Sequence, residues 1–156
     1  MPNDENKVME AFFAAMKAGY ANPNAIKRTI PNLPGSKSIT VEHGQFLIVD
    51  AWVVNPKSDK SSGDTWIFKN DQAVWKMSYQ GEYPPHAIKF LKNALQEAYG
   101  HNDFVGGRGP LFFSSGIRTY TNFPEGDWKN FHGLEQVLNQ YQEIVGWHEY
   151  QGLYLL

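Results

Sequence analysis

One tripeptide occurs twice in this chain, as Tyr79-Gln80-Gly81 and Tyr150-Gln151-Gly152, 71 residues apart in a sequence of 156. Each copy closes a run in which apolar and polar residues alternate, the period of a strand with one buried face. Self-similarity at close to half the chain length predicts two copies of one unit, a stronger constraint on the fold than any single motif. Other marks repeat too: Phe12, Ala15, Met16 and Tyr20 match Leu91, Ala94, Leu95 and Tyr99 at a spacing of 79, Gly44 matches Gly116 at 72, and Gly63 matches Gly133 at 70. The falling spacing puts the length change in the connecting loops, where insertions are tolerated.

In order, Asn3 or Asp4 is positioned to cap a helix with the stripe Val8, Phe12, Ala15, Met16 and Gly19. A Pro-containing loop over 25–38 leads to a short strand from Ile39, a turn at His43-Gly44 and a long strand over 45–54. A polar loop over 55–63 precedes a hairpin of 65–69 and 73–80 around Asn70-Asp71, with Trp75, Met77 and Tyr79 facing the core. Pro84-Pro85 opens a second helix over 85–99. A linker over 101–116, flexible by its Gly106-Gly107-Arg108-Gly109-Pro110 run, leads to a strand over 117–123, a turn at Pro124-Glu125-Gly126 and a last hairpin of 134–139 and 143–155. The expected fold is α+β, an internally duplicated helix plus three-strand unit forming an antiparallel sheet with two helices packed on it. Residues 1–156 read as a single domain with halves at about 4–83 and 84–156.

Composition excludes several function classes. A net charge of −2 gives no basic footprint for nucleic acid, and no segment approaches the roughly 20 apolar residues of a membrane span. With no Cys there is no disulfide framework or thiol chemistry, and no signal peptide is evident, so a cytoplasmic location is expected. The five His residues lack zinc-site spacing, so neither a metal nor a cofactor is expected. Aromatic residues, 15% of the chain, suit a sheet core and the wall of a small-molecule pocket.

Phe46-x-Ile48-x-Asp50, Gly63-x-Thr65-x-Ile67 running into Val74-Trp75-x-Met77-x-Tyr79-x-Gly81, and Phe131-x-Gly133-x-Glu135-x-Val137 running into Tyr150-x-Gly152 form a pattern that resembles a bacterial family numbered 5680 among the domains of unknown function. The resemblance runs over most of the chain from Phe12 onward. It implies a fold but no activity or catalytic residue. The family's frequent fusion to helix-turn-helix regulators implies a sensor or interaction module, of which this chain looks like a stand-alone version. Thr65 stands where the family usually has Glu, while Glu135 keeps it in the second half.

The candidate site lies where the copies disagree. Matching the tripeptides sets Trp75 against Gly146 and Met77 against His148, leaving a glycine gap beside an imidazole. A void there, near His148, Tyr150 and Tyr79, has the make-up of a small-molecule pocket; Trp147, Leu153 or a helix side chain is the alternative filler. Asp50, costly to bury unpaired, is expected to meet a donor such as Arg118. The ligand-binding set is therefore His148, Tyr150, Gly146, Tyr79, Trp75, Glu135, Asp50 and Arg118, with no catalytic residue assigned. The expected ligand is a small aromatic or organic molecule, with no nucleic-acid or membrane partner. One rival is a hydrolase or isomerase using His148 with Glu135 or Asp50. The other is a structural domain that forms a homodimer.

Overall fold

The computed structural model describes residues 2–156. Its elements are α1 (Pro2–Ala18), β1 (Ser36–His43), β2 (Phe46–Val54), β3 (Lys60–Lys69), β4 (Gln72–Glu82), α2 (Pro85–Gly100), β5 (Phe112–Ser115), β6 (Arg118–Asp127), β7 (Asn130–Leu138) and β8 (Ile144–Tyr154). The strands form one eight-stranded antiparallel sheet in the order β1-β2-β3-β4-β8-β7-β6-β5, so each edge runs inward in chain order and the two runs meet at β4 and β8. At that seam Tyr79 pairs directly with Tyr150. The two helices touch each other and lie on one face, α1 over β1 and β2, α2 against β6.

Local chemistry accounts for most boundaries. The Asn70-Asp71 hairpin has both residues at positive φ, as its two-residue turn requires. Pro85 begins α2, where its missing N–H costs nothing, and Phe90, Leu91, Ala94, Leu95 and Ala98 supply the buried stripe. The stripe on α1 is Val8, Ala11, Phe12, Ala15 and Met16. Because α1 starts at Pro2, Asp4 lies inside its first turn, where it takes a salt bridge from Lys69 at 2.9 Å instead of capping. The side chain of Asn3 lies outside the described residues.

Four expectations are corrected. Each half of the sheet has four strands, because Phe112–Ser115 adds an edge strand inside the segment read as a linker. The rest of that linker is no flexible surface loop: Gly106, Gly107, Arg108 and Gly109 are all buried. Strand β3 begins at Lys60, within the segment read as a polar loop, because its start pairs on both sides, with β2 and β4. Strand β6 passes straight through Pro124-Glu125-Gly126. Pro124 is tolerated there because β5 pairs only as far as Thr121, so β6 is itself an edge at that point.

Candidate functional site

On the helix-covered face, alternate residues of the inner strands point between sheet and helices. Most are apolar, but seven polar or charged residues are buried, among them Asp50, Thr65, Arg108, Asn122, Glu135 and His148. Taking polar side chains from water is costly unless they are bonded. Their partners therefore show how the site is built.

Asp50 on β2 stands across from Thr65 on β3. Its Oδ1 accepts hydrogen bonds from the Tyr79 hydroxyl at 2.5 Å and the Thr65 hydroxyl at 3.2 Å. Burial pushes the Asp50 carboxyl up, and these bonds and the Arg108 charge do not bring it back to the usual range. Oδ2 has no hydrogen bond among the described residues.

Glu135 on β7 stands across from Asn122 on β6 and from His148 on β8. Its Oε1 accepts from Arg108 Nη2 at 2.5 Å and its Oε2 from the Tyr120 hydroxyl at 2.6 Å. Burial raises the Glu135 carboxyl, but Arg108 and the bonds from His148 and Arg108 outweigh it and hold it at about 2. His148 lies with Nδ1 3.6 Å from the same Oε1 and Nε2 3.2 Å from Ser61 Oγ. Its ring stacks on Tyr79 and meets Tyr83 edge-on. Burial pushes the imidazole down, with Arg108 adding to the effect and Glu135 opposing it, so the neutral form is favoured.

Arg108 reaches this position because the loop that carries it can lie flat on the aromatic floor. Gly106 has φ of 64° and sits on the Tyr150 ring, so a side chain there would be strained and would collide. The loop is tied down by the Asn122 amide, which donates to Val105 O and Gly109 O at 2.9 Å each, by the Gly109 N–H donating to the Tyr120 hydroxyl, and by Tyr99 donating to Gly107 O. The guanidinium lies 5.5 Å over the Tyr79 ring. Its Nε is buried without a hydrogen-bond partner among the described residues. The Tyr83 hydroxyl is likewise unbonded; burial and the nearby Glu135 charge keep its proton on well above the ordinary tyrosine range.

Between these groups and α1 is a cavity of about 40 Å³, lined by Asp50, Thr65, Tyr79, Arg108 and His148 within, and by Ser61, Trp52, Tyr20, Met16, Met77 and Tyr99 around them. That volume holds a few waters or the head of a small molecule. A larger groove of about 590 Å³ lies on the open face, among Ser78, Gln80, Leu134, Glu149 and Gln151. It has no buried, unpartnered polar group to orient a ligand. The smaller cavity is the better candidate for that reason.

The sequence-derived set is divided by this geometry. Asp50, Tyr79 and His148 line the cavity, and Glu135 stands behind His148. Tyr150 is buried nearby, its hydroxyl donating to Asn122 Oδ1 at 2.6 Å, but does not line it. Trp75 is a core residue, its indole N–H donating to Trp128 O and its ring stacked on Phe131. The Gly146 gap is closed: the Tyr83 ring lies where a side chain at 146 would be. Arg118 does not meet Asp50; its guanidinium is 2.8 Å from His86 Nδ1, and Asp50 finds its donors on β3 and β4. Ser61, Tyr83, Tyr120 and Asn122 were missed, and Arg108 was read as part of a flexible linker. The signal for Arg108 was a single Arg framed by glycines and followed by apolar Leu111, Phe112 and Phe113.

Among the described residues, no group of three or more His, Cys, Asp or Glu side chains is placed to hold a metal ion. Among the described residues, too, no helix is long and apolar enough to cross a membrane. No curated protein and no solved structure matches the chain. A family model does match, over residues 58–154, a span that includes Ser61, Thr65, Tyr79, Arg108, Glu135 and His148. The match covers more than half of the sequence, and the chain belongs to the family described as "Domain of unknown function (DUF5680)".

Proposed function

We propose that this protein is a non-enzymatic, cytoplasmic sensor or interaction domain, built by internal duplication, that binds a small organic molecule in the cavity beside Asp50 and Arg108. One unpartnered polar atom on a buried side chain, Arg108 Nε, carries this reading. Buried polar atoms are nearly always bonded, so Arg108 Nε, buried and open beside a cavity that Asp50 also lines, favours an occupant that bonds it. Duplication is supported by the strand order, by the Tyr79–Tyr150 pair at the seam, and by the same tyrosine-to-Asx bond in each half. The absence of Cys fits a reducing compartment.

A thermal-shift screen of small aromatic and organic metabolites tests the reading, since a ligand that binds only the folded state raises its melting temperature. Met16→Trp, from the α1 wall, should fill the cavity and remove the shift while the unliganded protein stays folded; Ser61→Leu at the mouth is a second block. Shifts that persist unchanged in both folded variants would place the binding elsewhere.

The hydrolase reading is favoured by one observation: His148 lies between the Ser61 hydroxyl and the Glu135 carboxylate. That is the order of a nucleophile, a base and its orienting group. Against it, Arg108 donates to the same Glu135 oxygen and its charge weakens His148 as a base. A fluorophosphonate probe decides: covalent labelling of Ser61 that is lost in His148→Gln supports catalysis, and no labelling removes it.

A further inference from the structure

The rim of the cavity is basic. Tyr20 and Trp52 form part of it, and Lys27 Nζ lies 5.9 Å from the centroids of both rings. Lys92 Nζ lies 4.7 Å over Tyr20. Lys37 stands across from Trp52 in the β1–β2 register, so the two side chains share a face. None of these three ammonium groups has a salt bridge among the described residues, whereas Lys69, Lys76 and Lys129 each have one. Burial pushes the Lys92 ammonium down, and Lys27 and Lys37 push it further, the signature of like charges gathered without a counter-ion.

Inside the cavity one cationic side chain keeps an open donor. The Arg108 charge is met by Glu135 through Nη2, which leaves Nε as a free donor. The Thr65 hydroxyl is taken up by Asp50 Oδ1 and the Ser61 hydroxyl lies 3.2 Å from His148 Nε2, so Nε is the donor left open, and burial pushes the Asp50 carboxyl up. Three cations without a salt bridge among the described residues thus stand beside the aromatic rim. Such a field concentrates anions and repels cations.

From this arrangement we infer that the ligand is a small organic acid, a carboxylate on a flat apolar body, with its head at Arg108 Nε and its body against Trp52 and Tyr20. The size of the cavity favours a planar carboxylate head over a bulkier phosphate. The aromatic rim supplies the stacking surface for the rest. The inference rests on the cavity being the ligand site.

Titration calorimetry at low salt with benzoate, salicylate and benzylamine separates the two claims. At least one of the carboxylates should bind and benzylamine should not, and the affinity should fall by roughly tenfold in a Lys27→Gln/Lys92→Gln double variant and again at high salt. Binding of benzylamine alone, abolished by Met16→Trp, would overturn the ligand class and leave the site standing. Carboxylate binding that survives Met16→Trp would overturn the site itself. Equal affinity in the double variant, or no binding of either carboxylate, would overturn the organic-acid assignment.

Discussion

The two halves of the sheet use the same three positions and place the charge differently. In the first, Gly63 pairs with Tyr79, whose hydroxyl donates to Asp50, which pairs with Thr65. In the second, Gly133 pairs with Tyr150, whose hydroxyl donates to Asn122, which pairs with Glu135. Both glycines are required because the tyrosine ring lies across the position a side chain would take. The carboxyl has moved from the outer strand of the pair to the inner one. An amide at 122 can donate, so it fastens the Arg108 loop, and the arginine then satisfies Glu135. Asp50 anchors no such loop. The second half is therefore plugged, with both Glu135 oxygens bonded, and the first keeps a cavity beside a carboxyl bonded through one oxygen.

The strongest way to break this comparison is to remove the two residues opposite the Asx positions. Glu135→Gln leaves a buried guanidinium without its counter-charge and should cost about 3–5 kcal/mol. Thr65→Val, its counterpart, loses one neutral bond to Asp50 and should cost about 1 kcal/mol. Urea unfolding measures both, and equal costs would show that the halves do not differ in partnering. An exchange at the Asx positions sharpens the same point. Asn122→Asp turns an amide donor into a carboxylate facing two carbonyl oxygens and should cost about 2–3 kcal/mol. Asp50→Asn keeps an acceptor for Tyr79 and Thr65 and should stay within about 1 kcal/mol of the parent protein. If Asn122→Asp is as mild as Asp50→Asn, the amide is not what holds the loop.

The parts of this architecture that obey local rules were legible in the sequence. The core face of β4, the Asn70-Asp71 turn and the extent of α2 follow from strand period, turn chemistry and helix stops. The Tyr-Gln-Gly marks lie on β4 and β8, the two strands that meet at the seam of the sheet, which the sequence did not indicate. Whatever depends on long-range packing was not legible. Glycines around Arg108 have the composition of a flexible linker, and only the rings of Tyr150 and Tyr120 beneath Gly106 and Gly109 show that the missing side chains make room for aromatics. Likewise Tyr83, 63 residues before Gly146 in the chain, fills the gap because β4 and β8 are neighbours. Asp50 was recognised as needing a donor, but register decided that hydroxyls from β3 and β4 would supply it. His148 was matched with Glu135 or Asp50 without a way to choose, and its approach to Glu135 at 3.6 Å depends on the β7–β8 pairing.

The pH dependence of stability reads the two carboxyls most directly. Glu135 is held at about 2 in the fold against 4.5 in the open chain. A depressed carboxyl contributes stability above its unfolded value and loses it as the pH falls through the folded one, here about 3 kcal/mol between roughly pH 4.5 and 2. Asp50 is shifted the other way, raised above 3.8 chiefly by burial. Between that value and its folded pKa the native state holds a proton that the unfolded chain has released, so Asp50 makes the fold less stable as the pH rises. Asp50→Asn removes that titration and leaves the Glu135 contribution in place. The stability of the variant relative to the parent should therefore increase as the pH rises above 3.8, while both lose stability together in strong acid. Urea unfolding from pH 3 to 7 measures the difference, and a difference that is flat or falls with pH would mean that Asp50 is as well partnered as Glu135.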